Sequence, residues 1–189
     1  CLPALRLLSG SQHAAFRNNI DRLIKADRKI NLFEYCLYQV LKRHLDLHFG
    51  AASAKTIPSK AATNLNGEIA RVLSLLARQG QSADQAEQSF RKAAAMLGGR
   101  AKHLRYLPPP RSSLKHFDAA LNRLASASFA IKGRLLSACV ECVTHDGTIS
   151  IQEAETLRAI ADTLGCPIPP WLRSGLTAPP AGPASTTAL

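Results

Sequence analysis

Asp146 and Glu153 stand seven residues apart in "THDGTISIQEAE", residues 144–155. An Asp-Gly pair, then an apolar residue, then a Glu, looks like the second half of a calcium loop. Such a loop of twelve residues needs oxygen ligands at positions 1, 3 and 5 and a bidentate Glu at 12. With Asp146 at position 5 and Glu153 at 12, position 1 is Cys142 and position 3 is Thr144. A related stretch, "ADRKINLFE" over 26–34, pairs Asp27 with Asp146 and Glu34 with Glu153. Its positions 1 and 3 hold Leu23 and Lys25. Each copy lacks two acidic ligands, so a standard calcium site is not expected. A weaker, partial site on Asp27, Glu34, Asp146 and Glu153 is the metal reading these residues permit.

A structural reading explains more of the same positions. Asn31 and Ser150 are good N-cap residues, and Glu34 and Glu153 lie three positions on, where a capping-box Glu returns to the cap's N–H. Ile30 and Ile149 precede the caps, where an apolar side chain staples a turn to its helix. Gly147 permits a tight turn. Asp27 and Asp146 are placed to accept from turn N–H groups.

Other pairs carry weaker signals. Cys139 and Cys142 form a Cys-x-x-Cys with His145 nearby, a zinc or redox pattern. No second Cys pair accompanies it, and both align with apolar positions of the first copy, so core packing is the expectation. His44 and His48 are one helical turn apart, a zinc spacing, without a Glu in the catalytic position between them. A helix C-terminus also favours His. Arg100, Lys102, His103 and Arg105 make the densest basic stretch and can meet phosphates of lipid or nucleic acid. A solvated loop is the plainer reading. Stacking aromatics for single strands are lacking, so nucleic acid is the least favoured partner. Trp171 is expected to pin the chain end to the core.

These side chains need helices to position them. Aromatics are only 5% of 189 residues, no stretch alternates strictly, and apolar residues recur at helical spacing. Helices are expected over about 11–27, 32–49, 59–79, 83–97, 114–127, 129–144 and 151–164. Ser59 is the expected cap of the third and Gly80 its stop. Ser82 and Gln85 form the capping box of the fourth, with Gly98 its stop. The expected apolar stripes are Phe16, Ile20, Leu23 and Ile24; then Phe33, Leu37, Val40, Leu41 and Leu45; then Ile69, Val72, Leu73 and Leu76. Three consecutive prolines at 108–110 break the chain between helices.

The two acidic turns sit in matching helix hairpins at about 11–49 and 129–165. Phe16 falls on Leu135, Ile20 on Cys139, Leu23 on Cys142, Leu41 on Ile160 and Leu45 on Leu164. Agreement in phase over some thirty residues marks an internal repeat. The expected fold is all-α, with about seven helices. Two similar hairpins pack with three middle helices in one domain over 1–173, and a Pro- and Ala-rich tail over 174–189 is expected to be disordered.

Net charge is +11, with 17 Lys and Arg against 7 Asp and Glu in residues 1–110, and 7 against 6 thereafter. The basic half suits an acidic partner or an anionic surface. Five Cys, an odd count, argue against a disulfide framework and for reduced thiols. No apolar run is long enough to span a bilayer. The opening "CLPALRLLSG" reads as the start of a fragment of a longer protein.

The repeated D-x-x-I-x-x-x-E between two helices resembles the TerB-like module of tellurite resistance. Residues 2–45 together with 145–172 resemble the cytoplasmic C-terminal region of bacterial HtpX-like membrane zinc metallopeptidases. The resemblance implies a non-catalytic module on the cytoplasmic face of the inner membrane. Its partners would be the N-terminal membrane and peptidase part of the same protein, an anionic membrane surface, or another protein. Zinc would belong to that catalytic part, bound by a His-Glu-x-x-His motif that this sequence does not contain, and no cofactor is expected within this chain. TerB-like modules are linked to metal through acidic residues, whereas Arg28 here replaces the usual Gly. The alternatives are a free-standing TerB-like divalent-metal-binding stress-response protein and a basic helical protein that binds nucleic acid.

Overall fold

The computed structural model describes residues 2–26, 31–50, 64–79, 82–109 and 114–167. Among them the fold is all-helical, without strands. Helix α1 is Leu2–Leu5, α2 Gly10–Ala26, α3 Leu32–His48, α4 Asn66–Ala77 and α5 Ala83–Ala95. A 3-10 segment, Gly98–His103, precedes α6 Leu114–Leu124, α7 Phe129–Thr144 and α8 Ile151–Leu164. The basic stretch expected as a loop is therefore largely this 3-10 segment. Asp27, Arg28, Ile30, Ser59, Gly80, Trp171 and the tail over 174–189 lie outside the described residues.

The core is built on α4. Its stripe, Ile69, Val72, Leu73 and Leu76, is buried as the spacing predicts. Each such side chain contributes roughly 1.5–3 kcal/mol by leaving water. Helix α5 covers α4 and α7, and α6 lies against α4 and α8. Helix α3 packs along α8. Ser82 and Gln85 close a capping box at the start of α5. Gly98 takes a positive φ of 58° just past that helix. At α4 the cap differs from expectation: Leu65 holds the N-cap position and supplies no side-chain hydrogen bond.

Two apolar stripes are corrected. In α3 the buried residues are Leu32, Cys36 and Leu45, while Leu37 is 49% exposed. In α2, Phe16 and Ile20 are half-buried and Leu23 is 69% exposed. Their repeat partners on α7, Leu135, Cys139 and Cys142, are fully buried. The two hairpins thus share a sequence pattern but not a burial pattern. Helix α7 has α4 and α5 over it, while α2 keeps no fully buried apolar side chain among those described and bonds α3 through Arg17 and Asp21.

Candidate functional site: the paired helix entries and the cleft between them

The starts of α3 and α8 are built alike. Asn31 Oδ1 accepts from the Glu34 N–H at 2.9 Å, and Glu34 Oε2 accepts from the Asn31 N–H at 3.2 Å. Ser150 Oγ accepts from the Glu153 N–H at 3.2 Å, and Glu153 Oε2 accepts from both the N–H and the hydroxyl of Ser150 at 2.8 Å. Both are closed capping boxes. Each satisfies two N–H groups that a helix start leaves without internal partners.

Ahead of α8, Asp146 Oδ1 accepts from the Thr148 N–H at 3.0 Å, an Asx turn. Gly147 follows at φ 82°, where a side chain would be strained. Ile149 packs half-buried against the core behind the cap. One oxygen of each acidic side chain in this turn is therefore spent on backbone. No group of three metal-ligating side chains occurs among the described residues.

Helices α3 and α8 share a long interface, and their last turns touch. Arg43 Nη1 donates to the carbonyls of Asp162 at 3.1 Å and Thr163 at 2.7 Å. His44 Nε2 lies 3.0 Å from Asp162 Oδ1. With their C-terminal turns together, the two helices run side by side in the same direction. The sequence repeat, offset by one constant interval, therefore sets equivalent residues near the same height. Between them opens a cleft of about 170 Å³. Phe33, Leu37, Val40 and Ala159 form its apolar wall, and Glu155, Arg158 and Asp162 its polar edge. Arg158 is ion-paired to Glu155.

The other candidates are separated. His48 Nε2 donates to the Arg6 carbonyl at 2.9 Å, so His44 and His48 serve different partners. Cys139 and Cys142 are fully buried and free. Burial pushes the Cys139 thiol well up and that of Cys142 to about 12. Ser89 on α5 donates to the Cys142 carbonyl at 2.6 Å, and the Cys142 thiol points to the Leu73 carbonyl at 3.8 Å. This polar link ties α4, α5 and α7 inside the core. Arg100 reaches Asn66 Oδ1 at 3.2 Å, and Arg105 folds back on the Lys102 and Leu104 carbonyls. Lys102 and His103 are exposed.

Sequence reasoning missed two buried groups. Glu68 on α4 is almost wholly buried and pairs with Arg123 on α6 at 2.5 Å. Cys36 on α3 is buried in the core, where burial and the Asp118 carboxylate push its thiol up to about 12. For Glu68 the only available signal was a charge on the apolar flank of an amphipathic stripe, which is read by default as solvated.

No family model matches this chain, and neither a similar curated protein nor a similar solved structure was found. No helix among the described residues is long and apolar enough to cross a membrane.

Proposed function

We propose that this chain is a non-catalytic, TerB-like helical module that works through contacts with protein, most simply with the membrane zinc-metallopeptidase part of a longer polypeptide. The supporting observation is the doubled capped entry, Asn31 with Glu34 and Ser150 with Glu153, on two helices laid side by side. It is the same pattern on which the resemblance rests, and the acidic side chains there fix helices. The basic first half suits placement beside an anionic surface, and zinc chemistry belongs to the peptidase part in this reading.

The test is to read the coding sequence upstream of Cys1 in frame. Apolar spans and a His-Glu-x-x-His motif are expected. Deleting residues 1–189 from that parent should then change the rate or selection of its proteolysis, with zinc binding retained. A start codon a few residues upstream would overturn the peptidase reading and leave a free-standing module.

A further inference from the structure

Helix α2 and helix α7 occupy equivalent places in the repeat, so α7 shows what a fully integrated first helix looks like. Its face of Leu135, Cys139 and Cys142 has relative exposures of 0%, 0% and 1%. The equivalent face of α2 ends in Leu23 at 69%. Among the described side chains of α1 and α2 no apolar one is fully buried, Leu5, Phe16 and Ile20 being half-buried, and polar contacts tie both to α3. Arg17 donates to Asp46 Oδ1 at 2.9 Å, Tyr38 donates to Asp21 Oδ1 at 2.5 Å, and His48 donates to the Arg6 carbonyl at 2.9 Å. One ring contact adds to these: His13 stacks on Phe49 at 4.2 Å.

On α3, between residues that meet this arm, stands Leu45. It is 1% exposed, yet it stands apart from the main core cluster. It shares a face of α3 with Tyr38 and Phe49, seven residues before and four after it, and both of those meet α2. The face of α3 that carries Leu45 is therefore the face the arm meets.

We infer that α1 and α2 form a releasable arm, which lifts from α3 as a unit and uncovers the face of Tyr38, Leu45 and Phe49 while α3–α8 stays folded. The physical basis is the kind of attachment. Local opening costs least where few apolar side chains are buried. Partly exposed ion pairs contribute little and are screened by salt. Arg17 is 36% exposed in its pair with Asp46. Burial and the Asp21 bond push the Tyr38 phenol up to about 12, so it stays a donor through the neutral range. The inference stands on these contacts alone and holds whether or not the module belongs to a peptidase.

Hydrogen exchange of the full chain, resolved by peptide, tests it. Amides of α2 should exchange at least about ten-fold faster than those of α7, and the gap should widen in about 0.5 M NaCl. Tyr38→Phe should speed exchange in α2 and leave α4, α5 and α7 unchanged. Leu45→Cys, followed by thiol labelling and peptide mapping, should label at position 45 well before Cys139. Equal protection of α2 and α7 in the unaltered chain would overturn the inference. So would a Tyr38→Phe effect spread evenly over all helices, or a thiol at position 45 as inert as Cys139.

Discussion

Arg43, near the end of α3, terminates a different helix: its guanidinium holds the Asp162 and Thr163 carbonyls in the last turn of α8. Carbonyls in a helix's last turn run short of internal donors; the Asp162 carbonyl also takes the Gly165 N–H at 3.0 Å, and a cation there meets the negative end of the helix dipole. Gly165 adds a left-handed cap at φ 65°, with the Cys166 N–H returning to Ala161 O. Arg43→Ala should cost about 1 kcal/mol and lower Tm by about 2–4 °C. Arg43→Lys should recover only part of this, because an ammonium is more strongly hydrated than a guanidinium and gives up water less readily. Thermal unfolding of the three proteins checks it.

The two capping boxes should behave as equivalent local devices. Ser150→Ala and Asn31→Ala should each cost about 1 kcal/mol. Within one box, Ser150→Ala and Glu153→Ala should be less than additive, because each removes the other's partner. Chemical denaturation of the singles and the double measures the coupling. Full additivity would mean that the reciprocal bonds contribute nothing.

Metal should leave the protein's stability unchanged. Millimolar calcium or zinc is expected to give no shift in Tm, because Asp146 and Glu153 each serve the turn and cap. Asp146→Ala should destabilise by roughly 0.5–1 kcal/mol through loss of the Asx turn, with or without metal. A calcium-dependent rise in Tm that Asp146→Ala abolishes would revive the metal-sensor alternative.

Thiol reactivity should follow burial. The Cys139 thiol is held well above its ordinary range, and burial pushes Cys142 to about 12, so neither is thiolate at neutral pH. Cys166, half-buried at the end of α8, should label with a disulfide reagent well before Cys139 and Cys142 do. Peptide mapping after partial labelling gives the order.

Asp118 should oppose stability at neutral pH. Burial raises its pKa from 3.8, with Lys42 pulling the other way. A carboxyl whose folded pKa is raised binds its proton more tightly in the folded state. Its favourable contribution is then complete below the unfolded value and lost as pH rises through the folded one. Asp118→Asn should therefore raise Tm at pH 7, with the gain fading as pH falls through the carboxylate range. Melting curves across pH decide it. The change should also lower the Cys36 thiol's pKa, since the Asp118 carboxylate helps push it up.

Much of the local architecture was legible in the chain itself. Asn31 with Glu34, Ser82 with Gln85 and Ser150 with Glu153 are pairs three residues apart, and such pairs interact within one turn whatever lies around them. Helices α7 and α8 begin and end where periodicity and caps place them, because start and stop signals are local. The stripe of α4 was legible for a related reason: a helix apolar over a wide face must bury it. Leu23 and Leu37 were misplaced because helical spacing marks a face without saying what covers it.

The sequence by itself determined an all-helical chain, its capped turns and the doubled hairpin, because these depend on neighbours a few residues away. Only the tertiary structure decided which copy of the hairpin is sealed. Helices α4 and α5 cover α7, whereas α2 is held to α3 by Arg17, Tyr38 and His13. Only there, too, did Glu68 meet Arg123 and Arg43 reach the end of α8. Burial and long-range pairing belong to surfaces brought together from distant parts of the chain, and no local spacing encodes them.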